Sequence, residues 1–168
     1  MVAHGLSPLM PSISGTAPAH RGGTVSMAVE TGEQPVAGGR RVQPAATRRV
    51  LVVEDNEDAA EALRMFLELV EHEVQVADSG PAALQVAQSW HPEIVLSDIG
   101  LPGEMDGYAL ARALREVQGG GRMFLVALSG YGREQDKERA RAAGFDAHLT
   151  KPVDIHALEA LLARPLAG

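Results

Sequence analysis

VLVVED at residues 50–55, IVLSD at 94–98, MFLVALS at 123–129 and AHLTKP at 147–152 decide how this chain is read. Each is a short apolar run that stops on a residue able to do chemistry: Glu54 with Asp55, then Asp98, Ser129 and Lys151. Segments with helical spacing separate the runs. Short apolar runs alternating with helices imply βαβ units and a parallel sheet. Such a sheet gathers its functional groups at the carboxyl ends of its strands. These five residues are therefore expected to converge on one crevice.

Working outward, Leu63, Phe66, Leu67 and Val70 fall at i, i+3, i+4 and i+7, one apolar face of a helix. EVQVA at 73–77 alternates like a strand with one less covered face, which suits the sheet edge. Pro81 fits the first turn of a second helix, which fades at Trp90, His91 and Pro92. Trp90 is expected to pack near the third strand and His91 to stay at the surface. DIGLPGEMDG at 98–107 reads as loop, with Asp106 placed to cap the helix after it. Leu110, Leu114 and Val117 form that helix's stripe, and Gly119, Gly120 and Gly121 end it. Residues 133–143 make a helix with eight charged or amide residues in eleven, anchored by Ala140, Ala142 and Ala143. Gly144 closes it, 147–150 form a fifth strand, and Ile155, Leu158, Leu161 and Leu162 turn a last helix inward. The sum is an α/β chain of (βα)5 pattern with right-handed crossovers covering both faces of the sheet.

Composition bounds the reading. The 168 residues carry a formal net charge of -7 and a pI near 5.3, which argues against a nucleic-acid surface. There is no cysteine, so disulfides, thiolate metal sites and cysteine nucleophiles are excluded. No run of about 18 apolar residues exists to span a membrane. The N-terminus lacks the basic flank and apolar stretch of a secretory signal. No membrane insertion is expected, and a cytoplasmic protein is. Residues 1–47 hold seven Gly and five Pro without sustained periodicity, which reads as a disordered leader or linker. Met27 is an alternative start. The folded domain is expected over 48–166. Arginine outnumbers lysine 13 to two, so a lysine at a strand end, Lys151, stands out.

Glu54, Asp55 and Asp98 at neighbouring strand ends repel one another unless a cation joins them. Mg2+ answers best, because it takes one or two carboxylates, keeps waters and leaves room for phosphate oxygens. A polar turn capping the first helix would explain Glu54 and Asp55 alone, but not Asp98 at the end of another central strand. Lys151, followed by Pro152, can reach over the crevice as a point charge for a phosphate, or can be a surface lysine snorkelling off a strand end. Ser129, before Gly130, sits on a turn over the same mouth. As a lone serine in a turn it would mean nothing.

From residue 49 to 162 the chain resembles the receiver domains of bacterial two-component response regulators. The resemblance lies in the acidic pair of VVEDN, the D-x-x-x-P loop of Asp98 to Pro102, the serine of ALSG and the Lys151-Pro152 pair. The spacings fit: 43 residues from Asp55 to Asp98, 31 on to Ser129 and 22 more to Lys151. It implies a flavodoxin-like doubly wound parallel sheet of order 2-1-3-4-5. It implies that Asp98 is the phosphoacceptor, taking a phosphoryl group from a phosphohistidine. Glu54, Asp55 and Asp98, with the backbone carbonyl of Gly100, would form the Mg2+ set. Lys151 would hold one phosphoryl oxygen and Ser129 another after turning inward. The chemistry agrees, since phosphoryl transfer asks for placement and charge neutralisation, and a carboxylate needs no base to be a nucleophile.

Receivers often carry an aromatic residue three before the lysine, as a ring that swings inward. Here that position is His148, and two readings stand: the family's switch position, or a partly exposed strand histidine. Gly100 and Tyr131 occupy the positions that tune dephosphorylation in the family. The resemblance implies a histidine kinase or histidine phosphotransfer protein as donor. It also implies a downstream protein target on the face of helix 4, strand 5 and helix 5. Because the chain stops after its last helix, protein binding is the expected output, from a single-domain regulator or a receiver detached from a hybrid kinase. The rival is a flavodoxin-like protein-binding module independent of phosphorylation. A turnover enzyme is not expected: EDNED stands where a nucleotide-binding chain would place a Gly-rich loop. Asp98-Ile99-Gly100 likewise lacks the second aspartate of a haloacid-dehalogenase-type phosphatase.

Overall fold

A computed structural model of the chain describes residues 46–117, 119–130 and 132–165. Almost all of the expected leader, and Tyr131, lie outside the described residues. Five strands alternate with five helices: β1 (Arg49–Val53), α1 (Glu57–Leu69), β2 (Glu73–Ala77), α2 (Gly80–Trp90), β3 (Ile94–Asp98), α3 (Gly107–Glu116), β4 (Phe124–Ser129), α4 (Glu134–Ala143), β5 (Ala147–Thr150) and α5 (Ile155–Leu162). Every pairing is parallel and the order is β2-β1-β3-β4-β5, as expected. The fold is flavodoxin-like.

The strands alternate their side chains between two cores. Leu51, Val53, Val95, Leu125 and Ala127 face α2 and α3 through Ala83, Ala87, Leu110 and Leu114. Val50, Val52, Leu96, Val126 and Leu128 face α1 and α5 through Leu63, Leu67, Leu158 and Leu162. Both faces are covered, so β1, β3 and β4 read as unbroken apolar runs. Each fully buried Leu or Val contributes roughly 1.5–3 kcal/mol of transfer free energy. β2 is an edge strand, and Val76 on it stays exposed. Trp90 packs against the α2–α3 core and His91 is exposed, both as read from the sequence.

Local chemistry sets the helix ends. Asn56 accepts from Ala59 N at 2.9 Å, Asp106 from Ala109 N at 2.8 Å, and Asp154 from His156 N at 2.8 Å. Gly144 closes α4 at φ +110°, a left-handed conformation that favours glycine. Three expectations are corrected. α3 ends at Glu116, and Gly120–Arg122 form a separate 3-10 turn rather than a helix cap. Ile155 is 39 % exposed because it opens α5 directly after its cap, before the helix reaches the core. Ala142 is exposed, leaving Ala140 and Ala143 as the buried residues of α4.

Arg115 ties the α3 end to two later segments. Its guanidinium donates to the carbonyls of Gly120 (2.8 Å), Met123 (2.7 Å) and Gly144 (2.6 Å), and to Asp146 Oδ2 (2.6 Å). The same Asp146 oxygen accepts from Leu125 N at 2.7 Å, which joins β4 to the approach of β5. Only the five-donor arginine fork serves so many acceptors at once.

His72 gives the fold a pH limit. It is buried, and its Nδ1 accepts from Arg48 N at 3.3 Å, which requires that nitrogen to be unprotonated. Burial and the neighbouring Arg48 hold its pKa below the ordinary value, against the pull of Glu93. A histidine depressed in the folded state contributes fully above its unfolded pKa of about 6.5, and that stability is lost as pH falls through the lower folded value. The urea midpoint is therefore expected to fall from pH 7 to pH 5. His72→Gln keeps an acceptor without titrating, and its slope over this window is expected to be shallower. An identical slope would remove His72 as a cause.

Candidate functional site

The carboxyl edge of the sheet assembles the site. β1 stops at Val53, and Glu54 N donates to Ala77 O at 3.0 Å, holding Glu54 to the sheet. Its side chain is 2 % exposed; Oε1 accepts from Asn56 N at 3.2 Å and Oε2 from Lys151 Nζ at 2.5 Å. Asp55, one residue on, is exposed. Asp98 ends β3, where the backbone is fixed by Ile99 N donating to Leu128 O at 3.0 Å. Its Oδ1 accepts from Gly100 N at 3.0 Å, and its Oδ2 lies 3.1 Å from Lys151 Nζ. Glu54, Asp55 and Asp98 each offer an oxygen within 4.8 Å of the others. All donors are oxygens, which fits a hard divalent cation and excludes a soft one.

Lys151 leaves β5 at Thr150 through a cis bond to Pro152, and its amide donates to Ser129 O at 2.7 Å. Its ammonium bridges Glu54 and Asp98. Burial alone would lower the lysine's pKa, but hydrogen bonds to Glu54 and then Asp98 outweigh it and raise the value. The lysine stays charged and relieves the repulsion between two carboxylates itself. Nothing local in the sequence links residues 97 positions apart, so spacing alone points to a metal for that work.

Ser129 closes β4, 7 % exposed, with Oγ 2.7 Å from His148 Nε2 on β5. His148 is half-buried; burial and then Lys137 lower its pKa, while Asp136 opposes them. His148, at the position read from the sequence as the switch position or a partly exposed strand histidine, is thus partly buried and in contact with Ser129. Gly100 is exposed, and a Cβ there would sit 3.8 Å from both Asp98 oxygens, in ordinary contact. Tyr131 lies outside the described residues. Sequence reasoning passed over the role of Gly107. A Cβ on Gly107 would fall 2.4 Å from Asp98 O and 2.6 Å from Ile99 Cα, so α3 packs directly onto the backbone that carries Asp98.

The model of the response regulator receiver domain matches residues 50–163. The chain belongs to the receiver family of two-component signalling. A receiver is a signalling domain rather than a turnover enzyme. This one is 31 % identical over 109 residues to the polar-differentiation response regulator DivK of Brucella ovis, covering 65 % of this chain and 88 % of DivK. It is 34 % identical over 130 residues to the virulence sensor protein BvgS of Bordetella pertussis, covering 74 % of this chain but only 10 % of BvgS. Among solved structures, it resembles the receiver domain of the sensor histidine kinase PA1611 of Pseudomonas aeruginosa, which has a magnesium ion coordinated in its active-site cleft. There the TM-score is 0.64 at 28 % identity, over 70 % of this chain and 95 % of that one. It also resembles the receiver domain of Ssk1 of Saccharomyces cerevisiae, crystallised with the histidine phosphotransfer protein Ypd1. That match has TM-score 0.64 at 26 % identity, over 69 % of this chain and 86 % of that one. No helix among the described residues is long and apolar enough to cross a membrane.

Proposed function

We propose that this receiver accepts a phosphoryl group on Asp98 from a phosphohistidine of a histidine kinase or histidine phosphotransfer protein. One observation carries the reading: Asp98 stands with two further carboxylates inside 4.8 Å, and the Lys151 ammonium is 3.1 Å from its Oδ2. An Asp98 oxygen attacks phosphorus, the P–N bond breaks, and its electron pair leaves on the donor imidazole, which takes a proton from solvent. Glu54, Asp55 and Asp98, with the carbonyl of Gly100, are the residues that would hold Mg2+, whose charge would offset the equatorial phosphoryl oxygens. Lys151 is already a cation at the reacting oxygen and needs only to pass from carboxylate to phosphoryl oxygen. Ser129 supplies a second contact to the phosphoryl group. Gly100, open to solvent, admits water to the acyl phosphate and so sets part of its lifetime, with Tyr131 the other tuning position.

The downstream partner is read as a protein that binds the face of α4, β5 and α5. α4 buries only two alanines, and an element with few buried contacts shifts at low cost. Amide exchange over residues 130–150 is expected to change on phosphorylation; an unchanged profile would remove this output face.

Incubation with acetyl phosphate and Mg2+ is expected to add one phosphoryl group to the intact mass, and EDTA is expected to prevent it. A folded chain that takes no phosphoryl group from acetyl phosphate or from a phosphohistidine donor would leave a binding module independent of phosphorylation.

A further inference from the structure

The amino edge of the sheet, opposite the carboxylate crevice, carries a second cavity. It measures about 280 Å³ and is lined by Arg49, His91, Pro92, Glu93, Arg122 and Met123, with Gly119 at its rim. Glu93 precedes β3 and Asp98 ends it, so one strand length, about 16 Å, separates this cavity from Asp98. Its frame is backbone. Glu93 N donates to Arg49 O at 2.9 Å and Phe124 N to Glu93 O at 2.8 Å, which aligns the amino ends of β1, β3 and β4. Gly119, at φ +83°, opens the 3-10 turn that carries Arg122 to the wall, where Arg122 N donates to Gly119 O at 2.9 Å. His91, at φ +53°, ends α2, and its carbonyl accepts from Arg49 Nε at 3.0 Å, which orients that guanidinium.

The charges in the cavity do not cancel. Both oxygens of Glu93 are engaged, Oε1 by an Arg48 guanidinium nitrogen at 3.2 Å and Oε2 by Arg49 N at 3.1 Å, so Arg48 meets its charge. Arg49 is half-buried, yet no carboxylate among the described residues pairs with its guanidinium, or with that of Arg122. The terminal nitrogens of Arg49 and the whole Arg122 guanidinium make no hydrogen bond among the described residues. Charged side chains leave water mostly when paired, so a half-buried guanidinium with donors to spare calls for an anion. In a chain of net charge -7, two such arginines on one cavity are not the overflow of a basic surface.

We propose that this cavity binds a phosphate-sized oxyanion between the guanidinium groups of Arg49 and Arg122. Each guanidinium offers parallel N–H donors that match two oxygens of a phosphoryl group. One arginine comes from β1 and the other from the turn before β4, on the two sides of β3. A tetrahedral dianion can serve both forks, whereas a planar carboxylate satisfies one and leaves the second charge uncovered. Oxyanion and protein stay intact at this site, and the proposal does not depend on the reading of Asp98.

The test titrates the full chain, without Mg2+, with inorganic phosphate at constant ionic strength, reading the arginine Nε–Hε resonances. The Arg49 and Arg122 signals are expected to shift together and to saturate with one midpoint. Arg122→Gln, at an exposed position outside the hydrogen-bonded frame, is expected to raise the midpoint about five- to ten-fold, the loss of one charge-assisted contact open to water. Arg49→Gln is expected to do the same, with a urea titration to show that it folds; should it not fold, Arg122→Gln decides. Arg112→Gln changes an exposed arginine of α3 that does not line the cavity, and the midpoint is expected to stay where it is. Acetate at the same ionic strength is expected to bind more weakly than phosphate. Shifts that rise without saturating, or that are as large at Arg112, reveal an adventitious ion only and overturn the proposal. A midpoint indifferent to Arg122→Gln overturns it too, and an equal midpoint for acetate overturns the assignment to a phosphate-class ligand.

Discussion

Asp98→Asn is expected to abolish the phosphoryl adduct completely. The amide oxygen that replaces the carboxylate carries no charge and does not displace a phosphoryl leaving group, and the neighbouring acids do not stand in for it. Glu54 is buried with one oxygen on Lys151 at 2.5 Å and the other on Asn56 N. Asp55 is exposed, without the lysine contact that Asp98 has at 3.1 Å. The fold is expected to survive, because asparagine keeps an acceptor for Gly100 N and Lys151 keeps its bond to Glu54. Loss of the second, partly exposed ion pair should change stability by about 1 kcal/mol or less. Intact mass and a urea titration of the same sample check both halves. An adduct that persists in a folded variant would move the nucleophile elsewhere, and Asp55→Asn would be the next substitution to examine.

Gly107→Ala is expected to damage both the fold and the site. One methyl group would press on the carbonyl oxygen of Asp98 at 2.4 Å and on Ile99 Cα at 2.6 Å. Both are backbone, fixed by Gly107 N on Ile99 O at 3.0 Å and Ile99 N on Leu128 O at 3.0 Å. Neither can swing aside as a side chain would, so α3 must withdraw from the end of β3. Overpacking of this kind costs about 3 kcal/mol. The movement also carries Asp98 away from Lys151, so phosphorylation should slow in the fraction that remains folded. Gly121→Ala is the matched control: nothing lies within 4 Å of its Cβ position, and a change of at most about 0.5 kcal/mol is expected. Equal urea midpoints for the two variants would show that α3 does not rest on the Asp98 backbone.

Most of the architecture was legible because its signals are local. The apolar runs at 50–53, 94–97 and 124–128 are strands within a residue or so of their expected bounds. Asp106 caps α3 and Gly144 closes α4 where the chain chemistry places them. The errors are local as well, and instructive. Ile155 continues the apolar period of α5, but periodicity does not register that the first turn of a helix projects beyond the core it later joins. The glycines at 119–121 signal a stop, and the chain stops before them; Gly120 serves a tight 3-10 turn over Leu114 instead, where its Cβ would fall on that residue's carbonyl oxygen.

Residue types and strand ends were enough to place Glu54, Asp55, Asp98, Ser129 and Lys151 at the carboxyl edge, because a parallel sheet brings its carboxyl ends together whatever the side chains do. Who holds whom was not legible. Lys151 pairs with Glu54 across 97 residues, and the Ser129 hydroxyl meets His148 Nε2 on β5 at 2.7 Å. Such choices depend on strand order, register and rotamer, which come from packing the whole sheet and leave no trace in neighbouring letters. The local chain therefore dictated which groups reach the edge, through φ/ψ preference and apolar period. Long-range packing dictated their partners, because a hydrogen bond is made only where two faces of the fold happen to be brought within 3 Å or so.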